Sequence, residues 1–166
     1  DYKALEQAID IVSKTERIDA YGYGGSGNVA QDIAHRFMRF GLDVHAYSDP
    51  HLQIASASLL KPEDVVIAIS HTGASIDLLK VLEMARSRGS KIILITSYLK
   101  SPATKLADVV LTGMARETGY RSEAMASRLM HLAILDCLYT GVMQRRMDDY
   151  IDNMKQVRKA IAAQKM

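Results

Sequence analysis

Short runs rich in β-branched residues alternate along the chain with stretches whose apolar residues return at helical spacing. Ile18–Tyr23, Val44–Tyr47, Val65–Ser70, Lys91–Thr96 and Val109–Thr112 read as five strands. In Val65-Val66-Ile67-Ala68-Ile69 the apolar positions are consecutive rather than alternating, which suits a strand covered on both faces and therefore a parallel sheet. Between the strands, Val29, Ile33, Phe37 and Phe40 recur within Asn28–Phe40, and Gly41 supplies the stop. Leu78, Leu82 and Ala85 mark a second helix that ends near Gly89. Strands alternating with helices predict an α/β fold, a three-layer αβα sandwich around a five-stranded parallel sheet. In the flavodoxin-like order 2-1-3-4-5 the sheet reverses direction between strands 1 and 3. Ligands bind there, beyond the carboxyl ends of the strands.

Both ends of the chain are helical. Leu5, Ile9 and Val12 form one stripe, and Met147, Tyr150, Met154, Val157 and Ile161 form another. A third helix over about Ser122–Met143 carries Leu129, Met130, Leu132, Ile134, Leu135, Leu138 and Val142, which cannot share one face. Such a helix is expected to be buried all round, either deep within one subunit or between the sheet and a second subunit. The expected organisation is a single domain over residues 1–166, with an N-terminal linker helix (1–17), a sandwich core (18–144) and a C-terminal helix (145–166).

Composition narrows the function classes. With 166 residues, 48% apolar and 24% charged, the chain is an ordinary globular domain. Its formal charge of +2 lacks the basic excess of a stand-alone nucleic-acid binder. Six basic and three acidic residues between Arg145 and Lys165 read as a solvated helix face. Cys137 is the only cysteine, which excludes an internal disulfide or a Cys-cluster zinc site and fits a reducing, cytoplasmic setting. The greasiest stretch, Leu129–Met143, is interrupted by His131 and Asp136 and falls short of the roughly 20 residues of a membrane span. The nine methionines read as packing. A start at Asp1, with no signal-peptide pattern after it, points to a chain excised from a longer protein.

Two loops carry the candidate chemistry. Gly22-Tyr23-Gly24-Gly25-Ser26-Gly27 follows the first strand and opens a helix, and Ser70-His71-Thr72-Gly73-Ala74-Ser75 does the same after the third. Glycines let backbone N–H groups approach a ligand, hydroxyls donate, and a helix N-terminus adds about half a positive charge. Both are therefore anion cradles, flanking the point where ligands are expected. Neither contains Lys or Arg, so binding is expected to rest on hydroxyls, amides and helix dipoles. Gly22, Gly24 and Gly27 also match the dinucleotide fingerprint, with Asp49 near the end of the second strand. That scheme leaves the hydroxyl-rich loop without a role, and Tyr47-Ser48-Asp49-Pro50 reads as a turn. His35, His45 and His131 are not spaced as metal ligands and read as surface or hydrogen-bonded core residues, so neither metal nor cofactor is expected.

These residues resemble the sugar isomerase (SIS) domain, a phosphosugar-binding α/β module. Gly22, Gly24 and Ser26 match its G-x-G-x-S loop, and Ser70, Thr72, Gly73 and Ser75 match its S-x-S/T-G-x-S/T loop. The likeness runs from about Ile18 to Gln144. Tyr120–Leu129 followed by Leu132–Asp136 is similar to RpiR-type transcriptional regulators, in which an N-terminal helix-turn-helix domain precedes the SIS domain. The resemblance implies that Gly25, Ser26, Gly27, Ser70, Thr72 and Ser75 hold a phosphate, with His71 adding its backbone N–H. It also implies that Glu123 and His51 reach the sugar.

Two functions follow from that resemblance. One is a sensor of a phosphorylated sugar or amino sugar, a homodimer or higher homo-oligomer that meets DNA only through a separate N-terminal domain. The other is an aldose–ketose isomerase, with Glu123 as general base and His51 or His71 assisting ring opening. The regulator-like segment after Tyr120 favours the sensor.

Overall fold

The structure, a computed structural model, describes residues 1–115 and 125–164. Its elements run α1 (Tyr2–Ser13), β1 (Arg17–Tyr21), α2 (Gly25–Phe37), β2 (Asp43–Tyr47), α3 (Pro50–Ser58), β3 (Val65–Ser70), α4 (Ile76–Ser87), β4 (Lys91–Thr96), β5 (Val109–Thr112), α5 (Met125–Arg145) and α6 (Met147–Ala162). The five strands form one parallel sheet in the order β2-β1-β3-β4-β5. The three-layer sandwich and its switch point between β1 and β3 are thus present.

The unbroken apolar runs divide by parity between two cores. Val65, Ile67 and Ile69 of β3, with Ile93 and Ile95 of β4, pack under α1, α2 and α5. Val66 and Ala68, with Ile92 and Leu94, pack under α3 and α4. A strand covered on both faces is apolar at most of its positions, and that is why these strands do not alternate. At the edge, β2 is only half covered and carries Asp43 paired with His45 at 2.8 Å. A carboxylate on an exposed edge strand discourages pairing with another chain. Asp19 is the one carboxylate buried in the sheet. It accepts from Arg17 Nε at 3.1 Å, from the Tyr21 hydroxyl at 3.0 Å and from the Ser56 hydroxyl, joining β1 to α3.

Three expectations change. β1 begins at Arg17 and stops at Tyr21, because Gly22 and Tyr23 already belong to the turn into α2. α2 begins at Gly25 and gives way to a 3-10 turn at Met38–Phe40, closed by Gly41 in the left-handed region. α5 is not buried all round. Ser127, His131, Leu135, Leu138 and Val142 are buried along one stripe, whereas Leu129 and Met130 are 60% and 40% exposed and Cys137 is exposed. One chain offers α5 a single sheet face, and among the described residues nothing covers Leu129 on its far side. The helix is fastened to α2 through Arg36–Asp136 and to α1 through Arg145–Asp10.

Candidate functional site

The first loop is shaped by close backbone contacts. A Cβ on Gly22 would lie 2.6 Å from the Ser26 carbonyl oxygen, so no side chain fits there. The amides of Ser26 and Gly27 turn back onto the carbonyls of Tyr23 and Gly24 at 3.0 Å each. Gln53, fully buried on α3, donates from Nε2 to the Gly22 carbonyl at 3.3 Å and to the Tyr47 carbonyl at 2.6 Å, tying the loop to the end of β2. Burial pushes the Tyr23 phenol up to about 12, with Asp77 and Asp49 adding to it, so the ring stays uncharged at neutral pH.

The second loop is seated on the end of β4 and on the turn that follows. The Gly73 amide donates to Ser70 Oγ at 3.0 Å and the Ala74 amide to Thr72 Oγ1 at 3.3 Å. The Ala103 amide donates to the Gly73 carbonyl at 3.0 Å, and the Ser97 amide to the His71 carbonyl at 3.1 Å. The His71 ring lies edge-on to Tyr98, with centroids 5.5 Å apart. Its Nδ1 is 2.9 Å from Ser97 Oγ, which is also 3.0 Å from His131 Nε2 and 3.1 Å from the Gly113 carbonyl. His131, 2% exposed, is pushed down to about 4 by burial. The nearby His71 acts in the same direction, and a hydrogen bond to the Gly113 carbonyl opposes them. It is therefore neutral at pH 7.

The two loops open on one cleft of about 650 Å³, walled by Tyr23, Gly24, Gly25, Ser26 and Val29 on one side and His71 and Thr72 on the other. The first turn and a half of α5 close it with Met125, Arg128 and His131. This third wall was not foreseen, and it corrects the expectation of a site without a cationic side chain. Arg128 and His131 are three residues apart and so rise from one face of the helix. Two basic residues one turn apart in the first half of a largely apolar helix were the available signal.

Several residues singled out in the sequence stand elsewhere. Gly27 is buried beneath the first loop, and Ser70 closes the second loop rather than lining the cleft. Ser75 is the half-buried N-cap of α4, without a side-chain capping bond. His51 is exposed in the first turn of α3, outside the cleft wall, and Glu123 lies outside the described residues. Asp49 caps α3, accepting from the amides of His51 and Leu52 at 2.9 and 3.0 Å. The cap accounts for an acidic residue at this place without a dinucleotide. Among the described residues no group of three His, Cys, Asp or Glu could hold a metal ion, and no helix is long and apolar enough to cross a membrane.

The wall offers one guanidinium, two aliphatic hydroxyls, a phenol, a helix N-terminus and two imidazoles around a space large enough for a small polar ligand. It is suited to an anion carrying hydroxyl groups. The model of a family described as the SIS domain matches residues 11–141. The bifunctional protein glk of Burkholderia thailandensis is 42% identical over 146 residues, covering 88% of this chain and 23% of glk. The HTH-type transcriptional regulator RpiR of Escherichia coli K12 is 37% identical over 151 residues, covering 91% of this chain and 51% of RpiR. The chain therefore spans about a quarter to a half of the length of these relatives. Among solved structures, Vibrio vulnificus NanR complexed with ManNAc-6P superposes with a TM-score of 0.90 at 24% identity, over 98% of this chain and 61% of NanR.

Proposed function

Because the chain belongs to the SIS domain family and both of its βα loops face Arg128 across one cleft, we propose that it binds a phosphorylated sugar or amino sugar. In this reading it is the effector-sensing domain of an RpiR-type transcriptional regulator. The observation that carries it is the convergence of Ser26, Thr72 and Arg128 on one space at the mouth of α2. The phosphate sits at the N-terminus of α2, where Ser26 and Thr72 donate hydroxyls and Arg128 supplies the countercharge. Gly27, Ser70 and Ser75 act behind the wall by holding the two loops in shape. The names of the relatives support the same direction: RpiR is an HTH-type regulator, and the NanR structure holds ManNAc-6P.

The protein works in the cytoplasm as a homodimer or higher homo-oligomer and reaches DNA through a helix-turn-helix domain distinct from this one. Ligand acts by favouring one arrangement of the assembly, with the coupling limited to its differential affinity, commonly about 1–3 kcal/mol. Arg128 is placed to pass that preference on, since it joins the cleft to the helix that carries the exposed Leu129 and Met130.

A panel of hexose and amino-sugar phosphates read by thermal shift tests the proposal. At a ligand concentration about 100 times Kd the folded state gains about 2.7 kcal/mol, an easily measured rise in Tm. The rise should vanish in a Ser26→Ala, Thr72→Ala double variant that itself folds normally. No shift with any member of the panel refutes the reading. The paired imidazoles favour a second reading, the aldose–ketose isomerase. Incubation in D₂O separates the two, because an isomerase incorporates deuterium at the carbon beside the carbonyl and a sensor does not.

A further inference from the structure

Ser97 lies outside the cleft wall, yet it joins two residues that line it, His71 and His131. Ser97 Oγ has three polar neighbours within 3.1 Å: the Gly113 carbonyl, His71 Nδ1 and His131 Nε2. A hydroxyl has one proton and two lone pairs. The carbonyl can only accept, and with its two lone pairs it takes the Ser97 proton alongside any contact from His131. Where the Ser97 proton goes to that carbonyl, both ring nitrogens donate to the Ser97 oxygen. From this arrangement we propose that the Ser97 hydroxyl, donating to the Gly113 carbonyl beside His131, selects the Nδ1–H tautomer of His71, in which Nε2 is a hydrogen-bond acceptor for a hydroxyl of the bound sugar.

The consequence is a division of labour within one residue. The His71 ring lines the cleft, its Nδ1 edge is occupied by Ser97, and Tyr98 buttresses it edge-on. The nitrogen left for a ligand is Nε2. A bare lone pair repels a phosphate oxygen and attracts a hydroxyl proton, so the ring reads the sugar while the backbone and hydroxyls of the loops read the phosphate. Ser97 and His131 are positioning residues, and both belong to elements remote in sequence from the second loop. His131 suits this task because it stays neutral, with its proton on the nitrogen facing Ser97.

The second half of this inference rests on the phosphosugar reading, whereas the first half does not, and the test separates them. Long-range ¹⁵N–¹H spectra of the ¹⁵N-histidine-labelled, ligand-free protein report each ring's tautomer directly. The expected result is Nδ1–H for His71 and Nε2–H for His131. Ser97→Ala should release His71 to the alternative tautomer, and Ser97→Thr, which keeps the hydroxyl, should restore it. In binding, Ser97→Ala should weaken a sugar phosphate by roughly tenfold, the value of one hydrogen bond, and leave inorganic phosphate within about twofold. His71 found as Nε2–H in the unaltered protein, or unmoved by Ser97→Ala, overturns the proposal. So does equal weakening of sugar phosphate and inorganic phosphate. The expected tautomers in a protein that binds no member of the panel would instead support the positioning role and refute the phosphosugar reading.

Discussion

Replacing Gly73 by alanine tests how the second loop is held. Gly73 has φ +62°, in the left-handed region, where an L side chain costs about 1–2 kcal/mol. Space is a separate obstacle, since the new Cβ would lie 2.7 Å from Ser101 Cβ, a contact that forces the following turn outward. Overpacking of this kind costs about 1–3 kcal/mol. Together Gly73→Ala should lose about 2–5 kcal/mol. For a protein of this size, at about 2–4 °C per kcal/mol, Tm should fall by roughly 5–20 °C. The loop also carries His71 and Thr72, so sugar-phosphate affinity should fall with it. Ser101→Gly in the same chain removes the obstructing atoms and leaves the backbone strain, so it should recover the packing share alone. Thermal melting of both variants, with and without ligand, measures the two contributions. A Gly73→Ala protein melting within about 1 °C of the parent would refute the account, as would a double variant that recovers nothing.

Three further outcomes are expected. Arg128→Gln should weaken sugar phosphate and inorganic phosphate alike by about 10–100-fold, the value of a charge-assisted hydrogen bond, and flatten the salt dependence of binding; calorimetry at two ionic strengths decides it. His131, neutral when folded and held near 4, takes up its proton more readily when unfolded, with an ordinary value near 6.5. Its stabilising share is therefore complete above about pH 6.5 and is lost as pH falls toward 4, roughly 2–3 kcal/mol in all. Urea midpoints at pH 7 and pH 5 should differ less in His131→Gln than in the parent, and equal slopes would disprove this. Asp19→Ala strips Arg17, Tyr21 and Ser56 of their shared acceptor and should cost about 2–4 kcal/mol in urea unfolding, leaving phosphosugar affinity per folded molecule unchanged.

Local chemistry was legible where it left a local pattern. Val65–Ser70, Lys91–Thr96 and Val109–Thr112 are read from the sequence with the bounds the structure shows, because a strand between two helical layers carries a run of consecutive apolar residues. Gly41 and Gly89 announce helix ends because both adopt the left-handed conformation, which other residues avoid. α3 went unread for the opposite reason. Its buried face is Gln53, Ser56 and Ala57, so Pro50–Ser58 shows no apolar period, and Gln53 is buried in order to tie the first loop down. The likeness to RpiR-type regulators came from the same kind of local pattern, in the two loops and the segment after Tyr120.

The sequence by itself therefore determined the order of the elements, the layered architecture and the two loops that end β1 and β3. Each of these depends on residues close together along the chain. Only the tertiary structure decided that α5, more than fifty residues beyond the second loop, swings Arg128 and His131 into the cleft. It also showed that Ser70 accepts from the Gly73 amide and that Ser97 stands between two histidines. Pairings of this kind arise from how helices and strands pack across the sheet, and the distance between two residues along the chain says nothing about which faces will meet.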